Sequence, residues 1–489
     1  MRYATIFSRS LRGIDALKIT IEVHVSPGLP GVTVVGLPEA SVRESKDRVR
    51  SAIQNSGFEF PAARVTINLA PAELPKDGAS LDLPIAIGVL AATGQIAMGD
   101  FSRFEFMGEL ALSGELREVR GALAVAAAVS RVGRTLILPV ESASEAALID
   151  AAEVLQASHL KEVAEFLNRT KRLCEPEVQH VLGRPVYPDM KDVLGQQAAR
   201  RALEVAASGR HSMLLSGPPG VGKTMLASRL PGLLPELSRD ESLEVLRVYS
   251  ASNMKTGFGV RPYRAPHHGA SSAALIGGGT RPKPGEVTLA HLGVLFLDEL
   301  PEFDRKVLEV LRQPLESKTV SISRVNAQAE FPANFQLVAA MNPCPCGYLG
   351  DASGRCHCTP DQVSRYRSKL SGPLLDRIDL HLSLARPSPN DRNEGESSAL
   401  IRARIECAWS LQLQRQGKLN SELEPAELAK HAALGVAERA LLARAAQKLD
   451  LSLRSEHRIV KVARSIADLA QSKDIQTPHL AEALGYRAS

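Results

Sequence analysis

Long apolar runs are missing from this sequence of 489 residues. No stretch approaches the roughly 18 consecutive apolar residues that a membrane-spanning helix needs. Residues 1–20 also lack the apolar segment of a signal peptide. The sequence therefore predicts a cytoplasmic protein that has no membrane partner.

The net charge is small, and the sequence contains few cysteines. The chain has 59 Lys and Arg against 54 Asp and Glu, and a net charge of +5 is too small to indicate nucleic-acid binding by itself. Six cysteines occur, four of them between positions 344 and 358, which does not suit a disulfide framework. With 44% hydrophobic residues and no internal repeats, the composition predicts a folded globular protein and leaves its partner open.

The length predicts two or three domains, since one domain typically takes roughly 100 to 200 residues. Residues 1–170 alternate short strands with helices, which predicts an α/β domain, and the proline-containing stretch 171–191 predicts a linker. A second α/β domain is predicted for residues 192–386. After a polar hinge, residues 397–489 are predicted to form a helical lid.

Hydrophobic periodicity also predicts individual elements. In the first domain the predicted strands are 18–25, 31–35 and 64–69, and the predicted helices are 39–55 and 83–93. The second domain has predicted strands at 212–216, 294–297 and 336–340, whose lack of polar alternation is typical of a covered parallel sheet. In the lid the predicted helices are 399–416, 426–448, 455–470 and 478–484, the last with Thr477 as its N-cap.

A glycine-rich loop lies between an apolar strand and a helix-like segment of the second domain. Its residues are Gly217, Pro218, Pro219, Gly220, Val221, Gly222, Lys223 and Thr224. Backbone N–H groups of such a loop and the positive end of the next helix bind phosphates, the lysine reaches the β- and γ-phosphates, and the threonine holds Mg²⁺. The loop therefore predicts ATP and Mg²⁺ as cofactors, and an ordinary glycine-rich turn is the weaker interpretation.

Two acids, Asp298 and Glu299, directly follow the apolar stretch 294–297. Ligands bind where the strands of an α/β sheet end, so Asp298 is predicted to hold Mg²⁺ and Glu299 to orient and deprotonate the attacking water. An acidic pair alone would be interpreted as solvated residues at a strand end. The glycine-rich loop reverses that interpretation.

Two more residues are candidates for the same site. Asn342 follows another apolar strand and is predicted to sense the γ-phosphate, with a turn-forming Asn-Pro pair as the alternative. Arg377 is predicted to act as an arginine finger in the ATP site of a neighbouring subunit. An ion pair with Asp376 or Asp379 is the alternative for this arginine.

The clustered cysteines are Cys344, Cys346, Cys356 and Cys358, in two C-x-C pairs separated by a loop that contains three glycines. Four thiolates can surround Zn²⁺ tetrahedrally, and His357 offers a spare ligand. A structural zinc is predicted, with reduced free thiols or a redox pair as the alternatives.

At these motifs the sequence resembles the magnesium-chelatase branch of AAA+ ATPases, in the subgroup that includes bacterial competence proteins. The resemblance spans the chain and is carried by PYRAPHHGASSAALIGGG (262–279), PGEVTLAHLGVLFLDELPEF (284–303) and LSGPLLDRIDLHL (370–382). It implies that Asn342 is sensor 1, Arg377 the arginine finger and Arg454 the sensor 2 arginine of the lid.

The same resemblance implies a hexameric ring with an insert around residues 253–281 and a hairpin around 318–331. It implies an ATP-driven DNA motor, a helicase that promotes branch migration of recombination intermediates during natural transformation. A recombinase or other recombination proteins are further expected partners. The basic candidates for contacts with DNA phosphates are Lys255, Arg261, Arg264, Lys318, Arg324, Arg365, Arg367 and Lys369, each with a solvated surface charge as the alternative.

Two histidines adjoin these basic residues in the sequence. His267 and His268 would point to opposite faces if they lay on a strand, so a structural role is predicted rather than a metal site.

The loop at residues 75–80 looks like the nucleophile loop of Lon-type proteases, with Ser80 at the serine position. Along the same resemblance, the position of the catalytic lysine falls on Leu123, which cannot accept a proton. A Lon-protease-like domain without peptidase activity is therefore expected, serving ring assembly or DNA contact.

Three other functions compete with a DNA motor. An ATP-dependent Lon-like protease is opposed by Leu123. A chelatase-type motor that drives metal insertion into a porphyrin would call for an integrin-like metal-ion module or a dedicated partner, and the sequence shows no recognisable module of this kind. A DNA-binding scaffold that uses ATP only to assemble is opposed by the intact Glu299.

Overall fold

A computed structural model of the chain describes residues 2–36, 40–72, 76, 79–97, 100–177, 186–278, 283–324, 327–350, 354–386 and 393–487. It divides into two compact units. The first comprises residues 1–183 with 242–258, and the second comprises 184–241 with 259–489. Parts of the predicted linker, the polar hinge and the loop at 75–80 lie outside the described residues.

The first unit combines a mixed sheet, a parallel sheet and a short hairpin. Its strands are β1 (Tyr3–Arg12), β2 (Asp15–Ser26), β3 (Gly31–Val35), β4 (Arg64–Ala70), β5 (Phe104–Phe106), β6 (Glu109–Leu110), β7 (Leu116–Arg117), β8 (Thr135–Pro139) and β9 (Glu153–Ala157). Its helices include α1 (Ala40–Asn55), α2 (Asp82–Ala92), α3 (Ala122–Ser130), α4 (Val140–Ala146) and α5 (Leu160–Leu167). The mixed sheet has the order β1-β2-β4-β3, and the parallel sheet has the order β5-β8-β9.

Helix α2 lies in the core of this unit. All of its residues are buried, because its sequence is apolar on nearly every face. Its first residue, Asp82, accepts hydrogen bonds from Arg48 of α1 at 2.8 and 3.2 Å. Burial raises the pKa of Asp82 to about 6, against the effect of Arg48. The pair connects α1 to the start of α2 inside the core.

The second unit carries the glycine-rich loop. Its strands are β10 (Met213–Ser216), β11 (Tyr263–Arg264), β12 (Gly277–Gly278), β13 (Lys283–Pro284), β14 (Val294–Leu297), β15 (Thr319–Arg324), β16 (Ala327–Pro332), β17 (Gln336–Met341) and β18 (Leu380–Ser383). The helices up to β18 are α6 (Gln197–Gly209), α7 (Lys223–Leu233), α8 (Arg239–Ala251, whose later part belongs to the first unit), α9 (Ser272–Ile276), α10 (Glu286–Leu289), α11 (Arg305–Glu309), α12 (Arg312–Ser317), α13 (Pro360–Arg367) and α14 (Gly372–Leu375). Helices α15 (Ser398–Gln416), α16 (Pro425–His431), α17 (Val436–Leu449), α18 (Leu453–Leu469) and α19 (Thr477–Gly485) follow.

A five-stranded parallel sheet has the order β11-β14-β17-β10-β18. Strands β14 and β17 are buried along their whole length, as their continuous apolar sequences predict. The register pairs Ser216 with Met341 and Leu297 with Ala339. The chain therefore leaves β10, β14 and β17 at the same edge of the sheet, where ligands bind in open α/β folds.

The C-terminal helices share a hydrophobic core with this sheet and its helices. Trp409 on α15 donates a hydrogen bond from Nε1 to the carbonyl oxygen of Ala207 on α6 at 3.0 Å. Arg458 on α18 forms an ion pair with the buried Asp379, which also accepts a hydrogen bond from the backbone N–H of Ser212 at 3.0 Å. These bonds connect the helical lid to α6 and to the start of β10.

Two details of the predicted lid are wrong. The single helix predicted for 426–448 is two helices, since α16 ends at His431 and α17 begins at Val436. Both helices fit the same apolar periodicity, which does not reveal a short break. Thr477 is the first helical residue, and Gln476 is the N-cap. None of the described helices has the length and apolar composition that crossing a membrane requires.

Candidate functional site

The ammonium group of Lys223 lies at the centre of the candidate site. Its Nζ donates hydrogen bonds to the carbonyl oxygens of Gly217 (2.6 Å) and Pro218 (3.0 Å) and to Oδ1 of Asn342 (3.0 Å). Lys223 is 9% exposed, and burial lowers its pKa while nearby carboxylates act in the opposite direction. Because phosphate oxygens are also acceptors, they can replace the carbonyl oxygens around this ammonium.

Two glycines give the loop its shape. Gly220 has a φ of +79° and Gly222 a φ of +89°, which is the left-handed region that glycine adopts without strain. Gly222 is also the N-cap of α7. The loop thus turns directly into the positive end of a helix, an arrangement that suits a phosphate chain.

Thr224 and Asp298 supply the oxygen atoms expected around Mg²⁺. Thr224 Oγ1 donates a hydrogen bond to Asp298 Oδ2 at 2.9 Å, and Asp298 Oδ1 accepts one from the backbone N–H of Glu299 at 2.9 Å. Mg²⁺ is usually bound by one or two protein oxygens together with waters and substrate phosphates. This pair of hydroxyl and carboxylate therefore fits the ion.

Glu299 forms a contact that the sequence did not reveal. Its Oε2 lies 3.1 Å from Nδ1 of His268, and both side chains are partly exposed. His268 lies in a turn, and its ring centroid is 4.0 Å from that of His267. The two histidines therefore do not lie on a strand, which was the premise for a structural role, and that role stays a prediction. His268 lies in a turn that is distant from Glu299 in the sequence, so hydrophobic periodicity could not predict this pair.

Arg377 and Arg454 meet at one carboxylate, that of Glu316 on α12. Oε1 of Glu316 lies 2.9 Å from Nη2 of Arg377 and 2.5 Å from Nη2 of Arg454. Burial opposes ionisation of Glu316, but the hydrogen bond from Arg377 and the charges of both arginines lower its pKa. Arg377 is 8% exposed. Its ion-pair partner is thus Glu316, whereas the sequence suggested Asp376 or Asp379.

The four clustered cysteines come together as predicted. The Sγ atoms of Cys344, Cys346, Cys356 and Cys358 all lie within 4.8 Å of one another. Cys344 is buried, and its Sγ lies 3.3 Å from that of Cys346. None of the six cysteines, all of which are described, forms a disulfide. Four thiols grouped in this way are a donor set that suits tetrahedral Zn²⁺.

One predicted DNA contact is excluded by burial. Arg261 is 3% exposed and donates hydrogen bonds to the carbonyl oxygens of Pro235 and Leu292, both at 2.7 Å. Its guanidinium therefore holds two loops of the second unit together and is not available to a polymer.

The other basic candidates differ in their surroundings. Arg264 forms a bidentate pair with Glu286 at 2.6 and 2.8 Å, and Lys318 pairs with Glu422. The exposed candidates are Lys255, Arg365, Arg367 and Lys369. The side chain of Arg324 lies outside the described residues.

The serine of the Lon-like loop has no lysine at the predicted position. Ser80 lies in a short 3₁₀ turn before α2, and its carbonyl oxygen accepts a hydrogen bond from Gly108 at 2.9 Å. Leu123 is fully buried on α3. Lys76 is also buried, and its ammonium donates a hydrogen bond to the carbonyl oxygen of Pro71. Ser80 is therefore a turn residue.

Comparison with known proteins relates this geometry to a family. The family model "Magnesium chelatase, subunit ChlI" matches residues 189–392, and models of the ChlI subunit and of its C-terminal part match 21–142 and 395–487. Competence protein ComM of Haemophilus influenzae is 48% identical over 100% of this chain and 98% of its own length. The chain belongs to the magnesium-chelatase-like family of AAA+ ATPases.

Other relatives agree with this family. The protein YifB of Salmonella typhimurium is 47% identical over 100% of this chain and 97% of its own length. Lon protease 2 of Bacillus subtilis is 28% identical over 38% of this chain and 38% of its own length. The predicted fold class is confirmed: an AAA+ α/β core, an α/β part with similarity to Lon, and C-terminal helices.

The pair between His268 and Glu299 gives the first testable prediction. We expect His268→Ala to lower ATP turnover by about tenfold to a hundredfold with little change in ATP affinity, because the carboxylate predicted to orient water loses its partner. Steady-state ATPase assays together with nucleotide-binding measurements check this. His267→Ala is the matched control, since His267 is the exposed neighbour in the same turn. Equal losses in both variants would assign the effect to the turn.

Proposed function

We propose that this protein is a ring-forming motor that hydrolyses ATP and moves DNA. The observation that carries the ATPase part is the convergence of Lys223, Thr224, Asp298 and Asn342 at one edge of the parallel sheet. Lys223 holds the phosphates, Thr224 and Asp298 hold Mg²⁺, and Asn342 contacts the γ-phosphate. With Mg²⁺ bound, the negative charge that develops on the transferred phosphoryl group is stabilised.

Glu299 completes the chemical step in this proposal. Its carboxylate orients a water molecule for in-line attack and takes the proton. His268 holds that carboxylate at 3.1 Å and limits its rotation. The role of His268 is positioning, because its contact is with Glu299.

The proposed ring rests on the family resemblance, which also gives the two arginines their proposed roles. Arg377 acts in the ATP site of the next subunit, and Arg454 of the lid acts as sensor 2. Both now meet at Glu316 of their own chain. Arg377 must leave this pair to reach a neighbouring phosphate. Assembly of subunits, six in the proposed ring, would thus decide when the site is complete.

DNA is the proposed track, and the cytoplasm the proposed location. The printed name of the relative ComM refers to competence, and its similarity covers the whole of this chain. Exposed Arg365, Arg367 and Lys369 form a basic segment that could meet phosphates. We propose branch migration of recombination intermediates in natural transformation as the task, alongside a recombinase or similar partners.

Two functions are alternatives to the DNA motor: a chelatase motor and a Lon-like protease. A chelatase motor is suggested by the names of the family models, which refer to magnesium chelatase. A Lon-like protease is suggested by the similarity to Lon protease 2. The position of the catalytic lysine is occupied by Leu123, which is apolar and buried. The Ser80 hydroxyl therefore lacks the lysine base of this mechanism, which argues against the protease.

A labelled four-way DNA junction tests the motor. We expect purified protein with Mg-ATP to separate the junction into its branches, and Lys223→Ala and Glu299→Gln to abolish this because phosphate binding or water activation is lost. Gel separation of products over time gives the rate. A wild-type protein that hydrolyses ATP but leaves the junction intact would contradict the DNA part, and incubation with casein would then test the protease alternative.

Mixing variants tests whether Arg377 acts between subunits. Lys223→Ala and Arg377→Ala should each be inactive as ATPases, while their mixture should regain turnover. In mixed rings, a Lys223→Ala subunit supplies its intact Arg377 to the intact phosphate loop of an Arg377→Ala subunit. Thermal melting controls for folding of both variants. A mixture as inactive as its components would reject action between subunits.

The cysteine cluster is proposed to hold one structural Zn²⁺. Elemental analysis should find one zinc per chain in the wild type and little in Cys344→Ser or Cys356→Ser, because three thiolates bind zinc more weakly than four. Cys407→Ser is the matched control, since Cys407 is an exposed cysteine outside the cluster. A folded wild-type protein without zinc would reject the site.

A further inference from the structure

The cysteine cluster belongs to a longer loop that borders the ATP site. We define the knuckle as residues 344–350 together with 354–358, which begin two residues after Asn342 and end two residues before the first residue of α13. The described part of the knuckle contains turns but neither helix nor strand. A loop of this kind has few backbone bonds to define its shape, and a metal that closes it supplies the missing constraint.

The knuckle touches the phosphate loop at Gly347. This glycine is buried and has a φ of +84°, and a Cβ atom there would lie 2.9 Å from Cδ of Pro219 and 3.8 Å from Cγ of Asn342. Its backbone N–H donates a hydrogen bond to the carbonyl oxygen of Cys344 at 3.0 Å. One glycine therefore lies close to the phosphate loop and beside Asn342, and its backbone is bonded to a cysteine of the cluster.

The far end of the knuckle returns to the same sensor. Helix α13 begins two residues after Cys358, with a capping box formed by Thr359 and Gln362. Tyr366 on this helix is buried, and burial raises the pKa of its hydroxyl to about 12, while the neighbouring backbone of Asn342 acts in the opposite direction. Asn342 in turn accepts the hydrogen bond from Lys223 at 3.0 Å. Both ends of the knuckle therefore lie beside Asn342.

We propose that the metal-loaded knuckle supports the phosphate loop, so that nucleotide affinity depends on metal occupancy of the four cysteines. Zinc draws the two C-x-C pairs together and presses Gly347 against Pro219. Loss of zinc releases that contact and the position of Asn342. The proposal rests on the proposed ATP and zinc sites, and it adds a dependence of the first on the second.

Two glycines of the knuckle provide a matched pair of variants. Gly350 has a φ of +80°, close to that of Gly347, but a Cβ atom there would have nothing within 4 Å. Gly347→Ala and Gly350→Ala therefore carry the same backbone strain and keep all four cysteines, and differ in the contact with Pro219. We expect both to bind one zinc per chain, and only Gly347→Ala to bind a fluorescent ATP analogue more weakly, by roughly tenfold.

Metal removal is the second arm and needs no substitution. Wild-type protein stripped with a zinc-selective chelator should bind the same analogue more weakly, and zinc chloride should restore the affinity. Thermal melting shows whether the stripped protein and Gly347→Ala remain folded. If Gly347→Ala misfolds, the stripped protein alone decides.

The outcomes separate the proposals. A wild type that contains zinc and binds the analogue, but keeps its affinity when stripped or in folded Gly347→Ala, overturns the support role alone. Equal weakening in Gly347→Ala and Gly350→Ala also overturns it, because strain and not contact is then responsible. A wild type that does not bind the analogue overturns the proposed ATPase as well, and one without zinc overturns the metal site.

Discussion

A buried ammonium that needs oxygen atoms around it governs the arrangement of the second unit. Lys223 finds them in two carbonyl groups of its own loop and in the side chain of Asn342, which arrives from another strand. This links strands β10 and β17 at their ends. An unpaired buried ammonium would cost several kcal/mol. The fold therefore keeps a polar set of partners at this point, and an incoming phosphate exchanges with them.

That link works because the strands are parallel and in register. Ser216 lies beside Met341, and Leu297 beside Ala339, so the glycine-rich loop, Asn342 and the two acids follow their strands at one edge of the sheet. Apolar sequences buried on both faces fix this register, since a shift would place the following polar residues inside the core. The placement of the site residues at this edge of the sheet thus depends on the burial of β14 and β17 along their whole length.

The sequence predicted those parts of the site that depend on local order along the chain. Lys223 and Thr224 follow from loop and helix, Asp298 follows from a strand end, and the cysteine cluster follows from spacing. Contacts made by residues outside these motifs were not predictable. His268 reaches Glu299 from an irregular turn, and no periodicity or motif spacing encodes such a contact. The break between the lid helices α16 and α17 was not predicted either. Both helices share one apolar stripe, so the periodicity of the sequence does not show where one ends and the next begins.

Charge explains why Arg377 and Arg454 can meet at one carboxylate within a single chain. Two guanidinium groups repel each other, and Glu316 offsets that repulsion while lying only partly buried. If Arg377 leaves for a neighbouring phosphate, as proposed, Glu316 stays paired with Arg454, so no buried charge is left without a partner. The cost of leaving is thereby smaller than for an isolated buried ion pair, where breaking it costs roughly 3 to 5 kcal/mol. Such an arrangement would suit the proposed role of Arg377, in which this arginine alternates between its own chain and the next.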